Sequence, residues 1–169
     1  MWLLVGAGLI FLVGFVAFTG APYVPSRRAD INRLFTKLRP LTARDVVVDI
    51  GSGDGVVLRT VSSLGAQAVG YEIHPLLVLI SRVLSRGDPR VRVQLANFWR
   101  KPLPDDVTIV YTFGEGRDIA KMYARVEQEA SRLGRPLTFV SYAFDITGIK
   151  PDASDKSYFV YEVKPLQAS

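Results

Sequence analysis

The chain has 169 residues, 49% of them hydrophobic and 22% charged, with a formal net charge of +5 at pH 7. This length is enough for one domain with a substantial core. With no cysteine and a single histidine, the composition excludes a disulfide framework, a thiolate zinc site and a cysteine nucleophile, and it disfavours a Ser-His-Asp triad. We predict no metal site.

The first 26 residues contain no charged side chain. Residues 2–18 read WLLVGAGLIFLVGFVAF, and a helix of this length is roughly 26 Å long, a short but possible bilayer span. A signal peptide would begin with a basic region, which is missing here. Instead, Arg27 and Arg28 follow the apolar run. We therefore predict a single-pass transmembrane anchor at 1–21, with the rest of the chain on the cytoplasmic side.

The segment 22–45 is predicted to form an extended corner followed by a basic amphipathic helix. Prolines at both ends of 22–25 impose the extended backbone. The apolar residues of the following helix have the i, i+3, i+4, i+7 spacing of one buried face: Ile31, Leu34, Phe35 and Leu38. The other face is rich in arginine, which suits anionic lipid headgroups better than a nucleic-acid groove.

From residue 46 onward, apolar runs of strand length alternate with helical patterns. This alternation predicts a Rossmann-like α/β domain over 46–169, with a doubly wound, mostly parallel sheet of about six strands covered on both faces. Ligands of such sheets bind beyond the carboxyl ends of the strands. The predicted strands are 46–50, 68–72, 91–95, 107–111, 137–142 and 158–163, and the predicted helices are 56–64, 75–85 and 116–134.

A glycine-rich turn follows the first predicted strand and precedes a helix. It reads GSGDG, so its third glycine comes one position earlier than in the dinucleotide fingerprint G-x-G-x-x-G. Asp49 and Asp54 flank the turn, and carboxylates there would repel a phosphate by roughly a kcal/mol or more. A cationic ligand without phosphate is favoured instead, and S-adenosylmethionine fits this description.

Polar residues at the next two strand ends extend the predicted site. Glu72 ends the second strand, where a carboxylate can accept hydrogen bonds from both ribose hydroxyls. Asn97 follows the third strand, and its amide could bind the adenine edge, with Ile73 and Phe98 on either side of the ring. For one of the two aromatic residues Phe98 and Trp99, core packing is favoured over contact with a ligand.

In order and spacing, the stretches VVVDIGSGDG, VGYEIHP and ANFW resemble class I S-adenosylmethionine-dependent methyltransferases. Together with the apolar N-terminal run, PYVPS and IVYTFG, they make the chain similar to the small membrane-anchored protein-lysine methyltransferases of the ATP synthase c-subunit and adenine nucleotide translocase type. This resemblance covers about 22–144. It implies methyl transfer from S-adenosylmethionine to lysine side chains of membrane proteins.

The predicted site residues follow from the motifs and from this resemblance. The family's pattern matches the turn, the ribose carboxylate and the adenine-contacting position, and it puts Tyr23, Val24 and Pro25 over the cofactor. Two positions depart from it: His74 stands where asparagine is usual, and Asn97 where aspartate is frequent. The predicted cofactor-binding residues are Asp49, Gly51, Ser52, Gly53, Gly55, Glu72, Ile73, His74, Asn97 and Phe98.

The C-terminal region is shorter than the superfamily's pattern requires. Residues 145–156 read DITGIKPDASDK, a stretch too short and proline-broken for a full helix. This is the reason for predicting about six strands rather than seven.

No catalytic residue is assigned, and Tyr23, Glu115 and Asp145 are the candidate bases. In-line displacement at a sulfonium mainly requires orientation and a neutral lysine acceptor. The stretch IVYTFGEG lacks the Asn/Asp-Pro-Pro-aromatic signature of the nucleic-acid amino-methylating members, so no nucleic-acid partner is expected. Two alternatives stay open: a methyltransferase for a lipophilic acceptor such as a quinone or lipid, and a non-enzymatic nucleotide-binding module at the membrane.

Overall fold

A computed structural model of the protein describes residues 27–114, 116–155 and 157–166. The predicted anchor at 1–21, the segment from Tyr23 to Pro25 and the candidate base Glu115 lie outside these residues. Across the described ranges, no helix is long and apolar enough to cross a membrane.

The described residues form four α-helices and seven strands, and each strand and helix predicted within 46–169 has bounds within two residues of those predicted. The first helix, Arg28–Arg33, is followed directly by a π-helical turn, Leu34–Leu38. The helices are α1 (Arg28–Arg33), α2 (Val56–Ser63), α3 (Pro75–Leu84) and α4 (Gly116–Leu133). The strands are β1 (Val46–Ile50), β2 (Gln67–Glu72), β3 (Val91–Leu95), β4 (Ile109–Thr112), β5 (Leu137–Tyr142), β6 (Ala153–Asp155) and β7 (Tyr158–Val163).

The strands form one sheet in the order β3-β2-β1-β4-β5-β7-β6. The first five are parallel, and β7 is antiparallel to both of its neighbours. The prediction of a Rossmann-like, mostly parallel sheet is confirmed, but the prediction of about six strands is wrong by one within the described residues. The missed strand, β6, has three residues and no periodicity of its own; it is a strand because it pairs with β7 from Ala153↔Val160 to Asp155↔Tyr158.

Both faces of the sheet are covered, and β1 is therefore buried at all five positions. On one face, α1, α2 and α3 pack over a core that includes Val47, Ala68 and Ile109. On the other, α4 and the connection between β3 and β4 pack over a core that includes Val48 and Val110.

The predicted amphipathic helix around residue 31 is confirmed, because Ile31, Leu34 and Phe35 are fully buried. Two basic residues of this segment form ion pairs with carboxylates of the domain: Arg33 with Asp155 at 3.0 Å, and Arg39 with Asp45 at 3.1 Å. The remaining basic residues of the segment 22–45 are exposed: Arg27, Arg28, Lys37 and Arg44.

Candidate cofactor site

The glycine turn lies at the carboxyl end of β1, where the neighbouring parallel strands β2 and β4 also end. Gly51, Gly53 and Gly55 have φ angles of 75°, 54° and 83°, a region where a side chain is strained. Gly55 is also the N-cap of α2. The alternating G-S-G-D-G spacing therefore follows from the left-handed backbone at every second residue.

Glu72 connects the turn to the end of β2. Its carboxylate is 6% exposed and accepts two backbone hydrogen bonds, from Gly53 N to Oε2 at 2.9 Å and from His74 N to Oε1 at 2.8 Å. A carboxylate oxygen has more than one acceptor position, so both oxygens keep capacity for ribose hydroxyls. Glu72 thus fixes the shape of the site in addition to the ligand-binding role predicted for it.

The two aspartates beside the turn differ in their electrostatic state. Asp49 is 3% exposed, and burial, followed by the charges of Glu72 and Asp54, raises its pKa to about 8. Asp54 pairs with Arg59 at 3.4 Å. The two carboxylates at the turn are therefore not equivalent: burial favours the protonated form of Asp49, whereas Asp54 is ion-paired with Arg59.

The predicted site residues after β2 and β3 differ in their exposure to solvent. Ile73 is 58% exposed and Trp99 45% exposed, whereas Phe98 is 4% exposed and belongs to the core. Asn97 is exposed, and its Oδ1 accepts a hydrogen bond from Trp99 N at 2.9 Å. Burial of Phe98 argues against its predicted place beside an adenine ring, and the exposed aromatic residue at this strand end is Trp99.

Gly70 was not predicted as a site residue, although it lies in β2 opposite Asp49. A Cβ at this position would collide with Ser52 Oγ and would lie 2.7 Å from Leu58 Cδ1, so the absence of a side chain lets the glycine turn pack against β2. A glycine inside a strand is the available signal for such a close approach.

Ser52 contributes an unpaired polar atom to the site. It is 5% exposed, and its Oγ has no hydrogen-bond partner among the residues that the structure describes. A buried hydroxyl without a partner costs about 1–3 kcal/mol, and a polar ligand at the turn is one way to recover it.

Aromatic side chains follow β4 and β5, the next strands along the same edge. The rings of Phe113 and Tyr142 meet edge to face at 4.7 Å, and Phe113 and Phe144 are 36% and 39% exposed. Between Tyr142 and Phe144, Ala143 has a φ of 70°, a strained conformation of the kind that clusters at functional sites. The candidate base Asp145 is exposed on the same connection.

Comparison with solved structures identifies this architecture. The chain matches an RNA methyltransferase from Salinibacter ruber, solved with S-adenosyl-L-homocysteine, with a TM-score of 0.74 at 21% identity, covering 86% of this chain and 97% of that one. The chain has a Rossmann-like methyltransferase fold. A geranyl diphosphate methyltransferase solved with SAM shares the fold at a TM-score of 0.53 and 20% identity, covering 68% of this chain and 48% of that one.

Curated relatives of this methyltransferase-fold chain share one name. The chain is 43% identical over 111 residues to the ATP synthase c-subunit lysine N-methyltransferase of Homo sapiens, and the match covers 64% of this chain and 46% of the relative. The Xenopus laevis protein of that name is 46% identical over 61 residues, 36% of this chain and 26% of the relative. The chain thus spans less than half the length of these relatives, and no family model matches it. The resemblance inferred from the motifs is confirmed.

Proposed function

We propose that the protein is an S-adenosylmethionine-dependent methyltransferase that acts on lysine side chains of proteins. The observation that carries this proposal is the Glu72 carboxylate, held by backbone N–H groups of Gly53 and His74 beside a left-handed glycine turn. The shared name of the curated relatives and the fold of structures solved with SAM or S-adenosyl-L-homocysteine support it.

The residues present fit this cofactor. Beside Gly51 there is open space among the described residues, since a Cβ there would meet none of their atoms within 4 Å. Glu72 supplies acceptors for the ribose hydroxyls, and the exposed side chains of Ile73 and Trp99 supply apolar surface for the adenine. Asp49 ionises more readily when a cation binds next to it. The cofactor supplies the methyl group, carried on a sulfonium.

The aromatic residues after β4 and β5 suit a lysine acceptor. A lysine enclosed by apolar rings loses its proton more easily, because desolvation disfavours the ammonium form. The faces of Phe113, Tyr142 and Phe144 can also attract a methylated ammonium through cation–π contact. Orientation of the amine toward the cofactor is the main contribution required of the protein.

We further propose that the enzyme works at a membrane, with residues 1–21 as a single-pass anchor and the α/β domain on the cytoplasmic side. The uncharged run at 2–18 and the exposed Arg27, Arg28 and Lys37 after it support this topology. Its acceptor is then a lysine of a membrane protein. Recovery of the full chain in the soluble fraction after lysis would contradict the anchor.

Two measurements test the proposed activity. Calorimetry should show binding of S-adenosylmethionine and none of NAD, with affinity reduced about ten- to a hundred-fold in Glu72→Ala, because charged hydrogen bonds contribute about 1.5–3 kcal/mol. Preference for NAD would refute the proposed cofactor and favour a nucleotide-binding module.

The acceptor is tested by incubating membranes with the enzyme and methyl-labelled cofactor, followed by separation of protein from lipid extract. Label is expected on lysine in the protein fraction, and Glu72→Ala is the matched negative control. Label in the lipid extract would refute protein-lysine methylation and favour a lipid or quinone acceptor.

A further inference from the structure

Helix α3 is oriented with its apolar face outward. Its five exposed large aliphatic residues follow the i, i+3, i+4, i+7, i+8 spacing of a single helical stripe. Their exposed fractions run from 37% to 63%. They are Leu76, Leu79, Ile80, Val83 and Leu84, and we call this stripe the α3 face.

The opposite side of α3 packs on the domain with a smaller and partly polar set of residues. Val78 and Ser81 are buried there, and Ser81 is fully inaccessible. Ser81 lies so close to Gly55 that a Cβ on that glycine would collide with its hydroxyl. The helix therefore buries a serine and exposes five large aliphatic side chains, the reverse of the usual arrangement at a water-facing surface.

The α3 face continues onto a neighbouring strand. Leu95, 57% exposed, alternates with Val91 and Val93 and so projects from the side of the sheet that α3 covers. A contiguous apolar surface of this kind marks an interaction site rather than a free surface.

Basic residues lie at the C-terminal end of the α3 face. From residue 82 to residue 90, the last turn of α3 and the connection to β3 have three arginines and one acidic residue, Asp88. Arg82 donates from Nε and Nη2 to Val93 O at 3.0 and 2.8 Å, which holds it against β3. The other two arginines, Arg86 and Arg90, are exposed on the connection that follows the helix.

Charge complementarity distinguishes three occupants of this surface. The apolar segment 2–18 carries no charge, so it would leave the basic residues without partners. A second copy of the chain would bring like charges together. An anionic lipid surface satisfies both features, because acyl chains accept the aliphatic side chains and headgroups pair with the arginines.

We propose that the α3 face docks in the headgroup region of an anionic membrane, with α3 lying in the plane of the interface. This docking is additional to the anchor at 1–21 and goes beyond the proposed methyl transfer. Because α3 begins at Pro75, three residues after Glu72, the docked orientation brings the candidate cofactor site close to the bilayer surface.

The absence of native cysteine allows single-cysteine probes in the full chain. An environment-sensitive fluorophore is attached to Leu79→Cys or Val83→Cys, and to Ala124→Cys as control, since Ala124 is exposed on α4 across the sheet. In vesicles of phosphatidylcholine and phosphatidylserine, the probes at 79 and 83 should shift to shorter wavelength and be quenched by nitroxide-labelled lipid. The probe at 124 should do neither.

Several outcomes would overturn the docking. Water-like emission at 79 and 83 in these vesicles is one. Shifted emission without quenching by lipid nitroxide, unchanged in detergent, is another, because it indicates coverage by residues 2–18 or by a second copy. In the double variant Arg86→Glu/Arg90→Glu, we expect quenching by nitroxide-labelled lipid to be several-fold weaker than in the parent chain. Equal quenching in the two would refute the electrostatic part of the proposal.

Calorimetry with S-adenosylmethionine on the same samples separates this inference from the proposed function. Normal cofactor binding without quenching means that only the docking has failed. Quenching without cofactor binding means that only the proposed activity has failed.

Discussion

Replacing Glu72 with glutamine probes the double role of this carboxylate. In the wild type, each oxygen accepts one backbone N–H, from Gly53 and from His74. Glutamine has the same shape but only one acceptor oxygen. Its amide nitrogen is a donor and must face one of the two N–H groups, which leaves a buried donor without a partner.

The expected magnitude follows from that unpaired donor. Leaving it buried costs about 1–3 kcal/mol, which for a protein of this size lowers Tm by roughly 2–12 °C at about 2–4 °C per kcal/mol. Loss of the charged acceptor for the ribose hydroxyls costs about 1.5–3 kcal/mol of binding free energy. The affinity for S-adenosylmethionine should then fall about ten- to a hundred-fold.

Thermal unfolding and calorimetric titration of Glu72→Gln measure the two effects separately. Glu162→Gln is the matched control, because Glu162 is an exposed carboxylate on β7 and its replacement removes the same charge. The control should change neither quantity. A Glu72→Gln variant with wild-type Tm and wild-type affinity would refute the role assigned to this carboxylate.

Three further predictions concern the turn, its buried acid and the α4 contact. Gly55→Ala and Gly87→Ala both place a side chain at a φ near 84°, which should lower the free energy of unfolding by about 1–2 kcal/mol each. Gly55→Ala should lose about 1–3 kcal/mol more, because its Cβ also collides with the buried Ser81. Equal losses of the two variants in denaturant titrations would contradict this contact. Because the pKa of Asp49 is raised to about 8, the native state holds a proton that the unfolded chain releases near pH 4. The free energy of unfolding should therefore fall as pH rises from about 4 to about 8. Over the same range, affinity for a cationic cofactor should rise, because Asp49 becomes ionised. Both trends should weaken in Asp49→Asn, and unchanged pH profiles in that variant would assign them to other groups. Glu129→Ala should lose about 1–3 kcal/mol, because Glu129 is 2% exposed and its removal leaves the buried N–H of Leu103 without an acceptor. Glu127→Ala on the same helix should lose much less, and similar unfolding midpoints for the two variants would refute this contact.

Local sequence patterns are sufficient to predict the helices, the long strands and the glycine turn. These features depend on local periodicity and on backbone conformations that only glycine adopts without strain. The positions of Glu72 and Asn97 at strand ends follow from the same pattern, because the carboxyl ends of parallel strands meet at one edge of the sheet.

Whether a group at that edge is charged, buried or exposed depends on tertiary packing, and the structure was needed to show it. Burial and two neighbouring carboxylates raise the pKa of Asp49 to about 8, and Phe98 is packed in the core whereas Trp99 is exposed. A strand of three residues exists only through its pairing with β7. The outward apolar face of α3 is likewise invisible in the sequence, because periodicity shows that a helix has an apolar stripe but not which way the stripe points. These properties depend on what lies next to each residue in space, and that is a consequence of the whole fold.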